Sequence, residues 1–435
     1  MNDEVFKLIN QEYQREQNGL ELIPSENYVS DAVLSAMGSI LTNKYSEGYP
    51  KKRYYGGQEN IDKIEQLAID RACKLFHADH ANVQPHSGAN ANEAVYFAWC
   101  DPGDTILSLS LNHGGHLTHG APVTRSAKIY NFIHYGITED GDINYEELGK
   151  LATTHQPKII LVGYSAFTKI PDFNKIARIG TKIPDCLLMA DMAHVAGLIA
   201  GKVHKNPLDY GFHVMTTTTH KTLRGPRGGM ILSKGTVSNP LKKPEHTLEN
   251  IPTLIDRAVF PGTQGGPLEH VIAAKAVALG EALKPDFQDY TKQILFNAKV
   301  LSETLQNLGF ILQGNGTDNH MILIDTKTSF DIDGKFYEIA LDQVGLTLNA
   351  NTLKNDKSGA FRPSGVRLGT PAITTRGLKE PEMKQIAIWL EKVAKICQKA
   401  ENPENLTNFT SELEQIHTEV KTLSLKFPLP SKSML

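Results

Sequence analysis

Hydrophobic and polar positions follow two different periods along the chain. Short runs of consecutive apolar residues, such as TILSL, IILVG and LLMA, have the length and composition of buried strands. Longer stretches between these runs carry apolar residues three or four positions apart, which is the period of a helix that packs on one face. Strands and helices of this kind alternate across roughly residues 80–235. The alternation predicts an α/β fold with a large, doubly wound, mostly parallel sheet.

Three amphipathic helices are predicted outside this region, two before it and one after it. The first ends at Gly19 and forms an amphipathic arm that packs elsewhere in the protein. The second has Ile61, Ile64 and either Leu67 or Ala68 on one apolar face. The last has an apolar stripe formed by Met383, Ile386, Leu390, Val393 and Cys397. Each stripe predicts a helix that buries one of its faces.

The character of the chain changes near residue 285. Beyond this point helices alternate with strand-like segments such as HMILIDT and VRLGT, and the pattern of the large sheet stops. We therefore predict an N-terminal arm over residues 1–40, a large domain over 41–285 and a smaller α+β domain over 286–435.

Composition and charge exclude several classes of protein. With 45 basic and 48 acidic side chains the net charge is -3, so neither nucleic acid nor an anionic membrane surface is an expected partner. No apolar run reaches the roughly 18 residues of a membrane span, and the acidic amino terminus is unlike a secretory signal. The cysteines are scattered without a CxxC motif, at positions Cys73, Cys100, Cys186 and Cys397. We expect reduced thiols in a cytoplasmic protein.

Two strand-like runs end in polar residues that a hydrophobic core would not favour. Asp191 follows LLMA, and Lys221 follows VMTTTTH. Ligands of a parallel sheet bind beyond the carboxyl ends of its strands, so both side chains are predicted to face one crevice. A desolvated lysine beside Arg224 and Arg227 has reason to lose its proton, as a Schiff-base nucleophile must. Asp191 would supply the anion that keeps a pyridinium nitrogen protonated.

Other motifs each allow a structural and a functional interpretation. Ser25 lies in a Pro-led turn and could cap the following helix or contact a ligand. Ser87, Gly88 and Ala89 open a helix, where backbone N–H groups can bind phosphate or the serine can merely cap. Arg367, in VRLGT, could form an ion pair at a rim or a bidentate fork for a carboxylate. The residues alone leave these alternatives open.

Two loops are unusual in composition. HGGHLTHG holds three histidines, but a glycine loop has no fixed helical face and no acid or cysteine joins it nearby, so no metal is expected. An imidazole there could instead stack on a ligand ring. NKYSEGYPKKRYYGG, with its four tyrosines, predicts a recognition loop or a subunit contact. The sequence lacks GxGxxG after a strand and GxxxxGK[ST], which excludes the common nucleotide sites.

Eight motifs occur in the order of one known family. They are LIPSENYVS, KYSEGYPKKRYYGG, VQPHSGANAN, HGGHLTHG, DMAHVAGL, TTTTHKTLRGPRGG, FPGTQGGPL and SGVRLGTPAITTRG. They span nearly the whole chain, which resembles serine hydroxymethyltransferase, a pyridoxal-phosphate enzyme of the aspartate-aminotransferase fold type (fold type I). The resemblance implies reversible transfer of the hydroxymethyl carbon of L-serine to tetrahydrofolate, giving glycine and 5,10-methylenetetrahydrofolate. It also implies an obligate homodimer, with a tetramer left open.

The resemblance assigns the cofactor side of the site and makes the large domain the cofactor-binding part. Lys221 would hold pyridoxal phosphate as a Schiff base, Asp191 would pair with the pyridine nitrogen, and His116 would stack on the ring. Ser165 and His194 would lie at the phenolic oxygen of the ring. The remaining cofactor contacts would be His220, the phosphate cup Ser87, Gly88 and Ala89, and Gly265 and Gly266 of a neighbouring subunit.

The resemblance also assigns the substrate side. Arg367 and Ser25 would bind the carboxylate of serine, whereas Tyr45, Glu47 and Tyr55 would reach in from the neighbouring subunit. Glu47 would transfer a proton near the folate, and a purely structural role in the YSEGY loop stays open. The folate site would be lined by Leu111, Gly115, Leu117 and Asn351.

The chain departs from the family pattern in a few places. Ala89 replaces a serine of many members, Lys51 replaces a common glycine, and residues 168–172 fit only with a one-residue insertion. These departures bear on cofactor affinity rather than on the reaction, because they do not touch the proton-transfer groups. A threonine aldolase or aminotransferase would keep the lysine, aspartate and arginine but leave the tyrosine-rich loop without a role. A non-catalytic RNA-binding protein would not need the lysine and aspartate.

Overall fold

The computed structural model describes residues 3–354, 356, 359 and 362–431. The strands are β1 (Leu20–Glu21), β2 (Gly48–Tyr49), β3 (Lys52–Arg53), β4 (His80–Asn82), β5 (Thr105–Leu109), β6 (Asn131–Tyr135), β7 (Ile159–Gly163), β8 (Leu187–Asp191), β9 (Val214–Thr218), β10 (Gly229–Ser233), β11 (Ile311–Leu312), β12 (Met321–Asp325), β13 (Leu346–Thr347), β14 (Asn349–Asn351) and β15 (Gly365–Gly369). The α-helices are α1 (Glu4–Asn18), α2 (Asp31–Met37), α3 (Glu59–Phe76), α4 (Gly88–Trp99), α5 (Arg125–Ile129), α6 (Tyr145–His155), α7 (Phe173–Gly180), α8 (Ala196–Ala200), α9 (Ile251–Arg257), α10 (Glu269–Ala282), α11 (Pro285–Asn307), α12 (Thr326–Phe330), α13 (Gly334–Gln343), α14 (Pro371–Thr375), α15 (Glu380–Ala400) and α16 (Thr410–Ser424).

The largest sheet has seven strands in the order β4-β10-β9-β8-β7-β5-β6. Strands β5 to β9 run parallel, whereas β10 pairs antiparallel with β9 and β4. In β8, Leu188 and Ala190 enter one hydrophobic cluster, while Leu187 and Met189 enter another. The strand is apolar throughout because alternate side chains are buried on both faces of the sheet. The predicted doubly wound, mostly parallel sheet is confirmed.

The strand order reverses beside β5. The chain moves outward from β5 to β6, returns across β5 to β7, and continues through β8 to β9 in the other direction. Loops that follow β5 and β7 therefore diverge to opposite sides and leave a crevice between them. This crevice, at the carboxyl ends of the parallel strands, is where an open α/β sheet binds its ligands.

A second sheet is antiparallel and has four strands in the order β11-β12-β15-β14. Its core includes the whole apolar stripe predicted for the last helix, from Met383 to Cys397, now seen on α15. The N-terminal arm joins this part of the protein, since Leu20 and Leu22 lie in the same core and β1 pairs in parallel with β13.

Helix α11 is shared by the two cores. Phe287, Tyr290 and Ile294 in its first half pack in the core of the large sheet. Leu301 and Leu305 in its second half pack in the core of the small sheet. The predicted boundary near residue 285 therefore falls at the start of a helix that both parts use. The division into residues 1–40, 41–285 and 286–435 stays a prediction.

Two of the predicted helices differ in how much of their apolar face is buried. Helix α3 buries Ala68 and leaves Leu67 43% exposed, which decides between the two alternatives for its apolar face. Helix α1 ends at Asn18 with the predicted Gly19 as its C-cap, yet it buries none of its residues. Within the described ranges, no helix combines the length and the apolar character needed to cross a membrane.

Candidate active site

A cavity of about 650 Å³ opens at the carboxyl ends of the parallel strands. Loops that follow β5, β7, β8 and β9 line one side, and residues of β14 and β15 line the other. Most of the predicted site residues line it: Ser25, Ser87, Gly88, Ala89, Leu111, Gly115, His116, Leu117, Ser165, Asp191, His194, His220, Lys221, Asn351 and Arg367. The fold thus brings segments from both sheets and from the N-terminal arm into one site.

Asp191 is the last residue of β8, and it is buried. Its Oδ2 accepts hydrogen bonds from Asn92 Nδ2 at 2.8 Å and from His119 Nε2 at 3.0 Å. Its Oδ1 accepts one from the backbone N–H of Ala193 at 3.1 Å. Burial alone would raise the pKa of Asp191, but the hydrogen bonds from His119 and Asn92 hold it well below its ordinary value. Asp191 is therefore an anion suited to a protonated ring nitrogen.

The surroundings of Asp191 also have the donor atoms of a metal site. Ligand atoms of His116, His119 and Asp191 lie within 4.8 Å of one another. The expectation that no acid lies near these histidines is wrong for the folded chain, because Asp191 at the end of β8 lies beside them. His119 and Asp191 already form a hydrogen bond with each other, and His116 Nδ1 lies 2.7 Å from the Thr118 hydroxyl. The absence of a metal stays a prediction.

Lys221 follows β9, which ends at Thr218, and shares the cavity with Asp191. Burial lowers the pKa of Lys221 to about 8. The positive charges of Arg367 and Arg227 lower this pKa further, whereas the charge of Asp191 opposes them. Part of the amine is therefore unprotonated near neutral pH, as a nucleophilic lysine requires.

The turn that carries Lys221 is held from behind. Asn27 Nδ2 donates to the Lys221 carbonyl at 2.9 Å and to the Tyr290 hydroxyl at 2.7 Å. That hydroxyl donates to the carbonyl of Thr222 at 3.2 Å. The guanidinium of Arg224 lies 4.4 Å from the centre of the Tyr290 ring. Arg224, which was expected to lower the pKa of Lys221, thus stacks on Tyr290 of α11.

The turn from β4 into α4 forms a narrow cup. Ser87 caps the helix, because its Oγ accepts from the backbone N–H of Asn90 at 3.2 Å. A Cβ added to Gly88 would lie 2.8 Å from Cγ2 of Thr218. One added to Gly229 would lie 2.2 Å from the Ser87 carbonyl oxygen. The first N–H groups of a helix have no intrahelical partner, so this glycine-lined end of α4 suits a phosphate.

Arg367 lies in the middle of β15, across from Leu323 of β12 and Asn349 of β14. Its Nε donates to Asn349 Oδ1 at 3.0 Å, and its Nη1 donates to the carbonyl of Ser165. Burial lowers the pKa of Arg367 to about 10, so the group stays protonated at neutral pH. No carboxylate of the described residues pairs with it, which favours the fork for a ligand carboxylate over the rim ion pair.

These features correspond to a known family. The family model described as serine hydroxymethyltransferase matches residues 1–390. The chain belongs to the serine hydroxymethyltransferase family. A serine hydroxymethyltransferase uses pyridoxal phosphate to transfer the hydroxymethyl carbon of L-serine reversibly to tetrahydrofolate, giving glycine and 5,10-methylenetetrahydrofolate. The fold type and the reaction implied by the motifs are thereby confirmed.

The donor set of the cavity fits the cofactor of the hydroxymethyltransferases. The amine of Lys221 matches the aldehyde, the carboxylate of Asp191 matches the pyridine nitrogen, and the cup at α4 matches the phosphate. Ala89, where many members have serine, contributes only its backbone to the cup. A helix N-terminus binds phosphate mainly through backbone N–H groups, so the cup still fits.

The other predicted residues of the hydroxymethyltransferase site lie outside the cavity, in a cluster of their own. The hydroxyls of Tyr45 and Tyr55 each lie 3.4 Å from a carboxylate oxygen of Glu47. A Cβ on Gly265 would lie 3.4 Å from Glu47, and one on Gly266 would lie 3.2 Å from the Tyr45 ring. Tyr45 is 59% exposed and Tyr55 50% exposed. The described chain thus carries two groups of site residues that do not meet.

Sequence patterns missed several residues of the site. Asn92 donates to Asp191 and also accepts from Thr216 Oγ1 at 2.6 Å. His320 Nε2 lies 3.4 Å from His194 Nδ1, and the two rings are stacked. The signal for Asn92 was a polar residue on the buried face of α4. His320 gave no such signal, since its contact is made only in the folded chain.

The sequence left two roles open for Ser25, a cap of the following helix and a contact with a ligand. Helix α2 is capped instead by Ser30, whose Oγ accepts from the backbone N–H of Val33 at 3.2 Å. Ser25 lines the cavity. The ligand contact is therefore the better interpretation.

Uptake of pyridoxal phosphate by the cofactor-free hydroxymethyltransferase is expected to accelerate as the pH rises through about 8 and to level off above it. The amine of Lys221 must lose its proton before it can attack an aldehyde. Stopped-flow absorbance measures the rate, and the same mixing with free N-acetyl-lysine corrects for ionisation of the cofactor. A midpoint near the ordinary lysine pKa of about 10.4 would contradict the buried position of the amine.

Proposed function

We propose that the cavity of one protomer and the Tyr45, Glu47 and Tyr55 cluster of a second copy form one hydroxymethyltransferase site. The observation that carries the chemistry is a buried Lys221 of lowered pKa in the same cavity as an anionic Asp191, at the ends of adjacent parallel strands. The second copy is inferred because Tyr45, Glu47 and Tyr55 lie outside that cavity. A lysine and an acid in these positions suit the binding of a pyridine aldehyde better than they suit a structural role.

We assign the cofactor-side work to three residues. When bound, pyridoxal phosphate delocalises the electron pair left by cleavage of the bond between Cα and Cβ of serine. Asp191 keeps the proton on the ring nitrogen. Burial lowers the pKa of His116 to about 4, so a neutral imidazole would be available to stack on the ring. Lys221 would hold the aldehyde of the cofactor through its amine, and as a free amine it would accept the proton that the substrate ammonium loses.

The substrate side is assigned to residues from both parts of the fold. Arg367 binds the serine carboxylate, and its orientation is fixed by the hydrogen bonds to Asn349 and to the Ser165 carbonyl. Ser25 supports the same carboxylate from the arm. Glu47 of the second copy exchanges a proton with the hydroxyl of serine. Its two tyrosine neighbours hold the carboxylate in place.

The wall of the cavity next to the glycine loop is assigned to folate. Leu111 is 42% exposed and Leu117 51% exposed, although both line the cavity. Exposed leucines at a cavity mouth gain from covering by a flat ring. Asn351 lies on the opposite side and offers an amide to the polar edge of that ring. Gly115 lines the cavity between the leucines, and a Cβ there would lie 2.3 Å from the Leu109 carbonyl oxygen.

We further propose that the enzyme works in the cytoplasm as a homodimer. The cysteines are free thiols, three of them buried, as a reducing compartment permits: Cys73, Cys100, Cys186 and Cys397. A homodimer supplies a second copy by symmetry, so each protomer contributes one cavity and one tyrosine-rich cluster.

Replacement of Arg367 by lysine is expected to weaken serine binding about ten- to a hundredfold while pyridoxal phosphate binding is unchanged. A point charge replaces a planar fork that grips a carboxylate at two positions. Titration of the holoenzyme with serine, followed by the cofactor absorbance, measures the change. Arg125→Lys is the matched control, because that side chain is 73% exposed. Unchanged serine affinity in Arg367→Lys would assign Arg367 to the framework of β15.

A further inference from the structure

Helix α10 contains a lysine that is buried completely and lies outside the cavity lining. Lys275 is 1% exposed. Its Nζ donates to the carbonyls of Val83 at 2.7 Å, Pro85 at 3.1 Å and Gly229 at 2.7 Å. A buried ammonium is costly unless its protons are all bonded, and these three carbonyls use all three.

The three carbonyls belong to the two segments that build the phosphate cup. Val83 and Pro85 lie between the end of β4 and the start of α4, and Gly229 begins β10. The two segments also bond directly, since the backbone N–H of Gly229 donates to the Pro85 carbonyl. The ammonium of Lys275 therefore ties together the backbone on both sides of the cup.

The lysine side chain packs closely against the glycine pair Gly228 and Gly229. A Cβ added to Gly228 would lie 2.5 Å from Cε of Lys275. A Cβ added to Gly229 would lie 2.2 Å from the Ser87 carbonyl oxygen. The side chain of Lys275, the glycine pair and the turn that opens α4 are thus in successive contact. We expect a change in the length of this side chain to shift the position of Ser87.

The protonation state of Lys275 follows from its partners. Burial lowers the pKa of Lys275 to about 7, and the charge of Glu65 opposes this effect. A neutral amine could donate only two hydrogen bonds and would turn its lone pair toward the third carbonyl oxygen. The geometry therefore favours the ammonium form, and its charge lies beneath the segment that must receive an anion.

We infer that Lys275 is a positioning residue for the cofactor phosphate, because it fixes the backbone of residues 83–88 against β10 without touching the ligand. This inference rests on the proposed assignment of the cup to Ser87, Gly88 and Ala89. It extends that assignment to a residue of a helix whose sequence, EHVIAAKAVALGEA, otherwise reads as buried and apolar.

The test compares two aldehydes that differ only in the phosphate. Holoenzyme of Lys275→Met is purified, freed of cofactor, and titrated with pyridoxal phosphate and with pyridoxal, with absorbance as the readout. We expect the affinity for pyridoxal phosphate to fall about ten- to a hundredfold, because bonds to a buried charge position the cup. The affinity for pyridoxal should be unchanged. Lys299→Met, with a side chain 70% exposed, is the matched control for loss of a lysine.

Further variants separate the inference from the assignment that it extends. Gly88→Ala narrows the cup itself, so a selective loss of pyridoxal phosphate affinity is expected in that variant as well. If Gly88→Ala shows no selective loss, the cup is assigned wrongly. If Gly88→Ala shows it and Lys275→Met does not, the cup stands and the inference about Lys275 is overturned.

Lys275→Gln guards against a failure of the methionine variant to fold, since glutamine keeps two N–H donors. It should lose part of the affinity for pyridoxal phosphate and none for pyridoxal. Equal losses for both aldehydes, or failure of both variants to fold, would make Lys275 a general support of the core and overturn the inference.

Discussion

The Lys221→Ala variant is expected to lose turnover of serine by about four orders of magnitude or more. Lys221 is the one lysine among the described residues that line the cavity. Burial has already lowered its pKa to about 8. Alanine at this position removes the nucleophile while Asp191 and Arg367 keep their partners. The variant should still fold, because it loses a buried charge and creates little strain.

Borohydride reduction of the wild-type holoenzyme followed by peptide mapping identifies the lysine that carries the cofactor. The label is expected on the peptide that contains Lys221. Lys234→Ala is the matched control, since this lysine follows the next strand and bonds to the carbonyl of His77 at the surface. Label on Lys234 or Lys202, or full activity of Lys221→Ala, would overturn the assignment.

A mixture of the inactive variants Lys221→Ala and Glu47→Gln is expected to recover about a quarter of wild-type activity. Lys221 lines the cavity, whereas Glu47 lies in the exposed tyrosine-rich cluster outside it. In the proposed symmetric homodimer each site would take its lysine from one protomer and its glutamate from the other. A hybrid dimer therefore collects both lesions in one site and none in the other. About half the dimers are hybrids after random pairing of equal amounts, and half of their sites are intact.

The experiment unfolds and refolds the two variants together and measures folate-dependent turnover. Mass spectrometry of differently tagged chains confirms that hybrids form. Each variant refolded alone supplies the inactive baseline, and wild type refolded alone supplies the reference. An inactive mixture that contains hybrid dimers would show that both residues act within one chain.

The sequence predicted the parts of the site that lie at strand ends or in glycine-rich turns. Asp191 and Lys221 were visible because a charged residue at the end of a strand-like run does not suit a core. The helix opening at Ser87 was visible as a turn with glycine. These signals are local, so a linear pattern contains them.

The remaining parts depend on contacts between distant segments. His119 was set aside as a histidine of a glycine loop, yet it bonds to Asp191, which lies in a strand two positions away in the sheet. Lys275 lies in an apolar helix where the pattern gives no hint of three carbonyl partners. Pairings of this kind are set by sheet order and helix packing rather than by neighbours in sequence.

The position of helix α11 in both hydrophobic cores affects how the protein unfolds. Its first half completes one hydrophobic core, its second half completes the other, and Tyr290 holds the backbone next to Lys221. Melting of the small core would fray α11, withdraw Tyr290 and loosen the lysine turn of the large sheet. We therefore expect the two cores to unfold as one cooperative unit, so that hydrogen exchange along α11 would be slow and would report the global opening of the protein rather than a local one.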